Sequence, residues 1–276
     1  MYIDDFKGLY AITDSTLTPA ETILLQVEQA LDGGVRMLQY RDKSSNFQFQ
    51  REQAECLLRL CRQAGVPLII NDDVDLALTV GADGVHLGRD DANLKTGRER
   101  LGPEAIIGIS CYNDFELALQ AEQSGADYVA FGRFFASTTK PAAVPAGIEL
   151  LHRAKTELKI PTVAIGGITP ENGAALVVAG ADMLAVIQGV FGQPDIRAAC
   201  NQFQRLFAAT EDPPTSPLAT NDSSRPNNTY PAGSIHRSVH SRASVAIRSS
   251  SSAPAGLSFS IRMATDISTM SAPGGR

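Results

Sequence analysis

The stretch VGADGVHLG (residues 80–88) closes a helical pattern, turns through Gly81-Ala82-Asp83 and enters an apolar run of strand length. The same construction returns at SGADYVAFG (124–132) and AGADMLAVI (179–187), with LDGGVRMLQ (31–39) as a weaker fourth copy. Glycine at a helix end followed at once by a short apolar run marks a helix delivering the chain into a buried strand. The copies precede candidate strands two, four, six and eight, so the repeating unit is a pair of βα units. Those eight strands span 8–13, 36–41, 67–72, 84–88, 105–110, 128–132, 162–167 and 183–188. Between them, segments such as AETILLQVEQALDGG and FQFQREQAECLLRLCRQAG place apolar residues three and four apart, the spacing of one helix face. Strict alternation demands a parallel sheet with covered faces, and eight repeats in about 200 residues predict an α/β fold, a (β/α)8 TIM barrel. A doubly wound open sheet is the competing architecture, but no GxGxxG follows the first strand.

The chain has 276 residues, 43% hydrophobic and 20% charged, enough for a sizeable core. From about Ala208 the character changes to Ser, Pro, Ala and Asn without periodicity, which predicts a barrel catalytic domain over 1–208 and a disordered tail over 209–276. Four acids and six arginines give that tail a charge of +2, which leaves −8 for the barrel out of a total of −6. No basic segment precedes an apolar one at the start and no run of 18 apolar residues occurs, so neither a signal peptide nor a membrane span is indicated and a cytoplasmic enzyme is expected. Cys56, Cys61, Cys111 and Cys200 form no CxxC pair and no metal-ligand spacing, and are expected as reduced, packed thiols. A pI near 5.3 without a basic helix argues against nucleic-acid or membrane partners and leaves small anionic molecules. A homo-oligomer is compatible with this composition.

In a barrel all eight strands end on one face, and that face carries the active site. Two strands end there on acid pairs: LIINDD, closing on Asp72 and Asp73, and GVHLGRDD, closing on Asp90 and Asp91. Asp72 and Asp91 lie on adjacent strand ends, where their carboxylates could hold a hard divalent cation. Mg2+ takes one or two carboxylates and completes its shell with water and phosphate oxygens, so the metal predicts a phosphate ligand. Asp73 and Asp90 read more simply as helix N-caps. Arg41, Lys43 and Lys140 bring opposite charge to the same mouth, suited to a diphosphate. The glycines of IGGITPEN and IQGVFG, at the ends of strands seven and eight, let backbone N–H groups approach a second phosphate. His86 alternates against Val85 and Leu87, so it faces the interior as a hydrogen-bonded histidine; Cys111 is expected as packing rather than as a nucleophile.

These motifs, GLYAITD, QYRDK, IINDDVDLAL, GADGVHLGRDD, GIS, FFASTTK, AIGGI and AVIQGVFG, together resemble the thiamine phosphate synthase family over about residues 8 to 192. The resemblance implies a Mg2+-dependent transferase of thiamine biosynthesis that joins a pyrimidine methyl diphosphate to a thiazole ethyl phosphate and releases pyrophosphate. It implies Asp72 and Asp91 as magnesium ligands, and Gln39, Tyr40, Arg41, Asp42, Lys43, Asn71, Ser110 and Lys140 as the pyrimidine diphosphate site. Ser137, Thr138, Thr139, Gly167, Ile187 and Gln188 correspond to the thiazole phosphate contacts, and Arg41, Lys43, Ser110 and Lys140 to the groups that assist the reaction. Here Ala136 and Gln188 stand where the family often has proline and serine, and Arg133 stands where many members have proline. The implied chemistry is dissociative alkyl transfer: the thiazole nitrogen attacks, pyrophosphate leaves and no covalent enzyme intermediate forms. A related barrel that tautomerises the thiazole phosphate, and a non-catalytic phosphate-binding barrel with a regulatory tail, are the alternatives. QYRDK, the two aspartates and Lys140 argue against the first, and the unbroken aspartate pair argues against the second.

Overall fold

The computed structural model describes residues 6–43, 46–88, 93–136 and 144–208. The expected tail, together with Asp90, Asp91 and Ser137 to Lys140, lies outside the described residues.

Eight parallel strands close into a barrel in chain order: β1 (Gly8–Ile12), β2 (Met37–Tyr40), β3 (Leu68–Asn71), β4 (Gly84–Leu87), β5 (Ile106–Tyr112), β6 (Tyr128–Gly132), β7 (Thr162–Ile165) and β8 (Met183–Val186). The seam is β1 against β8, where Tyr10 pairs with Ala185. Helices α1 (Ile23–Asp32), α2 (Phe47–Ala64), α3 (Val74–Val80), α4 (Leu94–Leu101), α5 (Phe115–Gln123), α6 (Glu149–Glu157), α7 (Pro170–Val178), α8 (Gln188–Phe191) and α9 (Ile196–Ala208) complete the described fold. Among the described residues no helix is long and apolar enough to cross a membrane.

The pleat separates two cores. Tyr10, Ile12, Met37, Ile69, Ile106, Tyr128, Val163 and Met183 point into the barrel, while Leu9, Leu38, Leu68, Val85, Ile107, Val129 and Leu184 point out to the helices. Each helix answers with an apolar stripe. In α2 this is Ala54, Leu57, Leu58 and Cys61, at the offsets 0, 3, 4 and 7 that bring side chains onto one face. Asn46 starts that helix, its side-chain oxygen accepting from Phe49 N–H at 3.0 Å. In α9 the stripe is Ile196, Ala199, Cys200, Phe203 and Phe207, which packs against α1, α7 and β1.

The Gly-Ala-Asp echo has a structural basis. Its glycines, Gly81, Gly125 and Gly180, take φ of 68°, 90° and 115°, where a side chain is strained, and so turn the chain out of the helix. Its aspartates then reach back to the start of the preceding strand. Oδ2 of Asp83 accepts from Leu68 N–H (2.8 Å), that of Asp127 from Ile107 N–H (2.7 Å) and that of Asp182 from Thr162 N–H (2.8 Å). Each copy therefore braces two neighbouring strands at the rim opposite the strand C-termini, which is why the repeat spans two βα units. In the weaker copy Arg36 takes the aspartate position and only the backbone link survives, Arg36 N–H to Leu9 oxygen at 2.9 Å.

Three strand ends differ by two residues from expectation, and one of them is β7, which stops at Ile165. β5 continues to Tyr112 through an irregularity at Ser110, with Tyr112 at φ 55°. β8 stops at Val186: Ile187 leaves the extended region and Gln188 begins the single-turn helix α8.

Candidate active site

The strand C-termini surround a cavity of about 580 Å³. Gln39, Arg41 and Lys43 enter it from the end of β2, Asn71 and Asp72 from β3, Ser110 from β5, Gly167 from the loop after β7, and Ile187 and Gln188 after β8. Nine residues predicted from scattered motifs thus meet in one space, of a size that accommodates small phosphorylated molecules.

Its electrostatics are built locally. Arg41 Nη1 donates to Asp14 Oδ2 at 3.2 Å, an ion pair between half-buried side chains that fixes the guanidinium at the mouth. Asp14 is itself tied into the β1 loop, accepting at Oδ1 from Thr16 N–H. Arg41 N–H also donates to Thr13 Oγ1 at 2.9 Å, so backbone and side chain are held together. Lys43 donates to the Asp72 carboxylate. Asp72 has φ 66°, a left-handed conformation that aspartate and asparagine tolerate better than other side chains. Its neighbour Asp73 has the helix-starting role expected of it, accepting from Leu76 N–H at 2.9 Å as N-cap of α3. Asp72 also meets the requirement for Mg2+ in kind: it presents hard carboxylate oxygens at the mouth, and that ion takes few such ligands from protein. Among the described residues no group of three or more His, Cys, Asp or Glu gathers, so a site there would be completed by ligand oxygens.

After β7 and β8 the wall is backbone. Gly166 and Gly167 take φ of 106° and 63°, and a Cβ on Gly167 would lie 2.2 Å from the Ala136 carbonyl oxygen, so only glycine fits between the two loops. Asn172 pins the turn, donating from Nδ2 to Gly167 oxygen (3.0 Å) and accepting at Oδ1 from Thr169 N–H (2.9 Å). Gln193 donates to the Gln188 carbonyl at 3.2 Å and also lines the cavity.

Tyr40 and Asp42 are placed differently from the other QYRDK residues. Strand parity turns Tyr40 outward, where its hydroxyl donates to Gln53 Oε1 at 2.8 Å and burial pushes the phenol above its ordinary range. Both residues line a neighbouring hollow of about 350 Å³ with Lys43, Asn71 and Asp72 rather than the main cavity. Cys111, adjacent to Ser110, is buried on the helix side with its thiol pushed up to about 12 by desolvation, which suits packing and not nucleophilic attack.

Several cavity residues lie outside the predicted site residues. Tyr10, Tyr112 and Arg133 line it, as does His86, whose two ring nitrogens lie 2.9 Å from Tyr128 Oη and from Ser110 Oγ. Tyr10 was accessible through strand alternation alone, because it must share the interior with Ile12.

The family described as thiamine monophosphate synthase matches residues 9–190. A thiamine-phosphate synthase from Nitrosospira multiformis is 53% identical over 203 residues, covering 74% of this chain and 86% of that protein. One from Marinobacter nauticus is 54% identical, covering 73% of this chain and 91% of that protein. Among solved structures, thiamine phosphate pyrophosphorylase from Pyrococcus furiosus superposes with a TM-score of 0.69 at 36% identity, over 75% of this chain and 98% of that one. Barrel, cavity and sequence agree, and the chain belongs to the thiamine monophosphate synthase family, a family of transferases.

Proposed function

We propose that the cavity condenses a pyrimidine methyl diphosphate with a thiazole ethyl phosphate, giving thiamine monophosphate and pyrophosphate. One observation carries this reading beyond family membership. One cavity is lined together by the cationic Arg41 and Lys43 after β2, the backbone of Gly167 and Gln188 after β7 and β8, and the polar groups of Gln39 and Ser110. Two anions and an uncharged ring system fit that lining.

Arg41 and Lys43 bind the diphosphate, Arg41 through its fork and Lys43 as a compact charge. Gln39, Asn71 and Ser110 orient the pyrimidine. Gly167, Ile187 and Gln188 offer backbone and amide donors to the thiazole phosphate, and Ser137, Thr138 and Thr139 are proposed to complete that end. As the carbon–oxygen bond to the diphosphate breaks, charge grows on the leaving pyrophosphate where Arg41, Lys43 and the proposed Lys140 already stand. A preorganised group of this kind is worth about 3 to 4 kcal/mol. The thiazole nitrogen supplies the electron pair, so neither a protein nucleophile nor a proton transfer is required. Asp72, with Asp91, would hold Mg2+, which when bound adds positive charge next to the diphosphate oxygens. Residues 1–208 form the catalytic unit in this reading, and the enzyme works in the cytoplasm on small molecules, without nucleic-acid or membrane partners.

The test is direct: the purified full-length protein, given both phosphorylated substrates and Mg2+, should release thiamine monophosphate and pyrophosphate in equal amounts. Absence of both products would overturn the reading.

A further inference from the structure

Beneath the cavity, five side chains cross the barrel as one hydrogen-bonded chain. Gln39 on β2 donates from Nε2 to the Tyr10 hydroxyl on β1 at 2.7 Å, and that oxygen lies 2.9 Å from the Tyr128 hydroxyl on β6. The Tyr128 oxygen lies 2.9 Å from Nδ1 of His86 on β4, whose Nε2 lies 2.9 Å from Oγ of Ser110 on β5. The packing around it leaves little latitude. Tyr10 and Tyr128 are 1% and 0% exposed, and the His86 ring stacks on Tyr128 with centroids 5.5 Å apart. Gly108 makes the room, since a Cβ there would lie 1.9 Å from Cζ of Tyr128.

The order of protons along this chain is forced by valence. Each phenol has one proton and stands between two polar neighbours, so it accepts from one and donates to the other. Burial pushes both phenols up, so both keep that proton. An amide nitrogen only donates. Starting from Gln39, therefore, Tyr10 donates to Tyr128 and Tyr128 donates to His86 Nδ1. With Nδ1 accepting, the imidazole carries its proton on Nε2 and donates it to Ser110 Oγ. An imidazolium would break the sequence, because Nδ1–H would turn Tyr128 toward Tyr10, and Tyr10 would then face a second donor at Gln39 with no acceptor. Once the Ser110 oxygen accepts from His86, its own proton is free to point to the cavity.

The geometry points to a one-way relay in which Tyr10, Tyr128 and His86 are positioning residues: they fix the Gln39 amide at one end and make the Ser110 hydroxyl a hydrogen-bond donor toward the substrate at the other. The consequence for substrate rests on the synthase reading; the proton order does not.

Nitrogen-15 spectra of the full-length protein labelled at histidine test the order without turnover, with the His86→Gln variant identifying the His86 signals. The expected spectrum has Nε2 protonated and Nδ1 bare. Gln39→Glu, whose carboxylate accepts from Tyr10, should reverse the relay and move the proton to Nδ1. A wild-type proton on Nδ1 or on both nitrogens, or a tautomer indifferent to Gln39→Glu, would overturn the proposal. In kinetics, Tyr10→Phe and Tyr128→Phe, each checked for a cooperative thermal transition, should lower kcat/KM for the pyrimidine diphosphate about tenfold, the loss of one oriented hydrogen bond. KM for the thiazole phosphate should stay within about twofold. Equal losses for both substrates would reduce the relay to packing. A wild-type protein without any synthase activity would instead remove the synthase reading and leave the tautomer result standing.

Discussion

The Lys43 ammonium and the Asp72 carboxylate pair across the cavity mouth, joining the ends of β2 and β3. Both side chains retain contact with solvent, at 56% and 29% exposure, so the pair adds at most about 1 kcal/mol to stability. A pair of so little structural value, placed where a diphosphate and its cation would sit, is better explained by function.

Asp72→Asn should therefore lower kcat by about 10²-fold or more, in the range set by removing one preorganised charged group. The melting temperature should move by only about 2 to 4 °C, the equivalent of 1 kcal/mol in a domain of this size. Asparagine is the informative substitution because it tolerates φ 66°, whereas alanine would add backbone strain to the loss of charge. Wild-type turnover in Asp72→Asn, measured at saturating substrates across a Mg2+ titration, would remove Asp72 from the site.

The three aspartate braces predict the reverse pattern. Asp83→Ala, Asp127→Ala and Asp182→Ala each strand one backbone N–H at a strand start, and each should cost about 1 to 2 kcal/mol, seen as a lower urea midpoint. Asp127→Ala should cost the most, because Asp127 pairs with a largely buried Arg98 at 2.6 Å, closer than the pair of Asp182 with the exposed Lys155 at 3.6 Å. All three lie on the rim opposite the cavity, so kcat and KM should stay within about twofold of wild type. A kinetic loss without a loss of stability would contradict this division of labour between the two rims.

Sequence and structure agree most closely where a local pattern repeats. Alternating strands and helices, with the Gly-Ala-Asp echo, were sufficient for the barrel, and the barrel alone placed Gln39, Arg41, Asn71, Asp72 and Ser110 on one face. Legibility failed where the deciding contact is remote or where pattern and motif disagree. Tyr10 and Tyr128 are 118 residues apart, and no local signal pairs their hydroxyls. Tyr40 belongs to the QYRDK motif but has outward parity, and parity decided its place. The run MLAVIQ read as strand to Gln188 because periodicity cannot separate a short buried strand from the start of a buried helix. The echo's aspartates looked like punctuation, since their bonds run to a different strand from the one they precede.

The thiols predict a response to alkali. Burial pushes Cys61, Cys111 and Cys200 up to about 12, from an ordinary value of 9.0. The unfolded chain ionises these groups first, so their contribution to stability is complete below about pH 9 and is lost as pH rises toward 12. The urea midpoint should fall as pH rises from about 9 toward 12, with the raised phenols of Tyr10 and Tyr128 adding to the fall above about pH 10. At about pH 8 a thiol reagent should reach only Cys56, the half-buried cysteine, before urea is added. Rapid labelling of Cys111 in the folded protein would show that β5 opens beside Ser110.

Truncation separates the catalytic unit from the C-terminal remainder of the chain. α9 ends at Ala208, and every described cavity residue precedes that helix. A chain ending at Ala208 should keep wild-type kcat and KM and melt within about 2 °C of the full-length protein. A chain ending at Asp195 would lose α9 and with it Phe203 and Phe207, which are 0% and 5% exposed against the outer face of the barrel. Removing even one buried phenylalanine costs about 3 to 5 kcal/mol, and marginal stability leaves little to absorb two. That shorter chain should be insoluble. If the chain ending at Ala208 were itself insoluble or inactive, residues 209–276 would belong to the working enzyme, and the catalytic unit would have to be redrawn to include them.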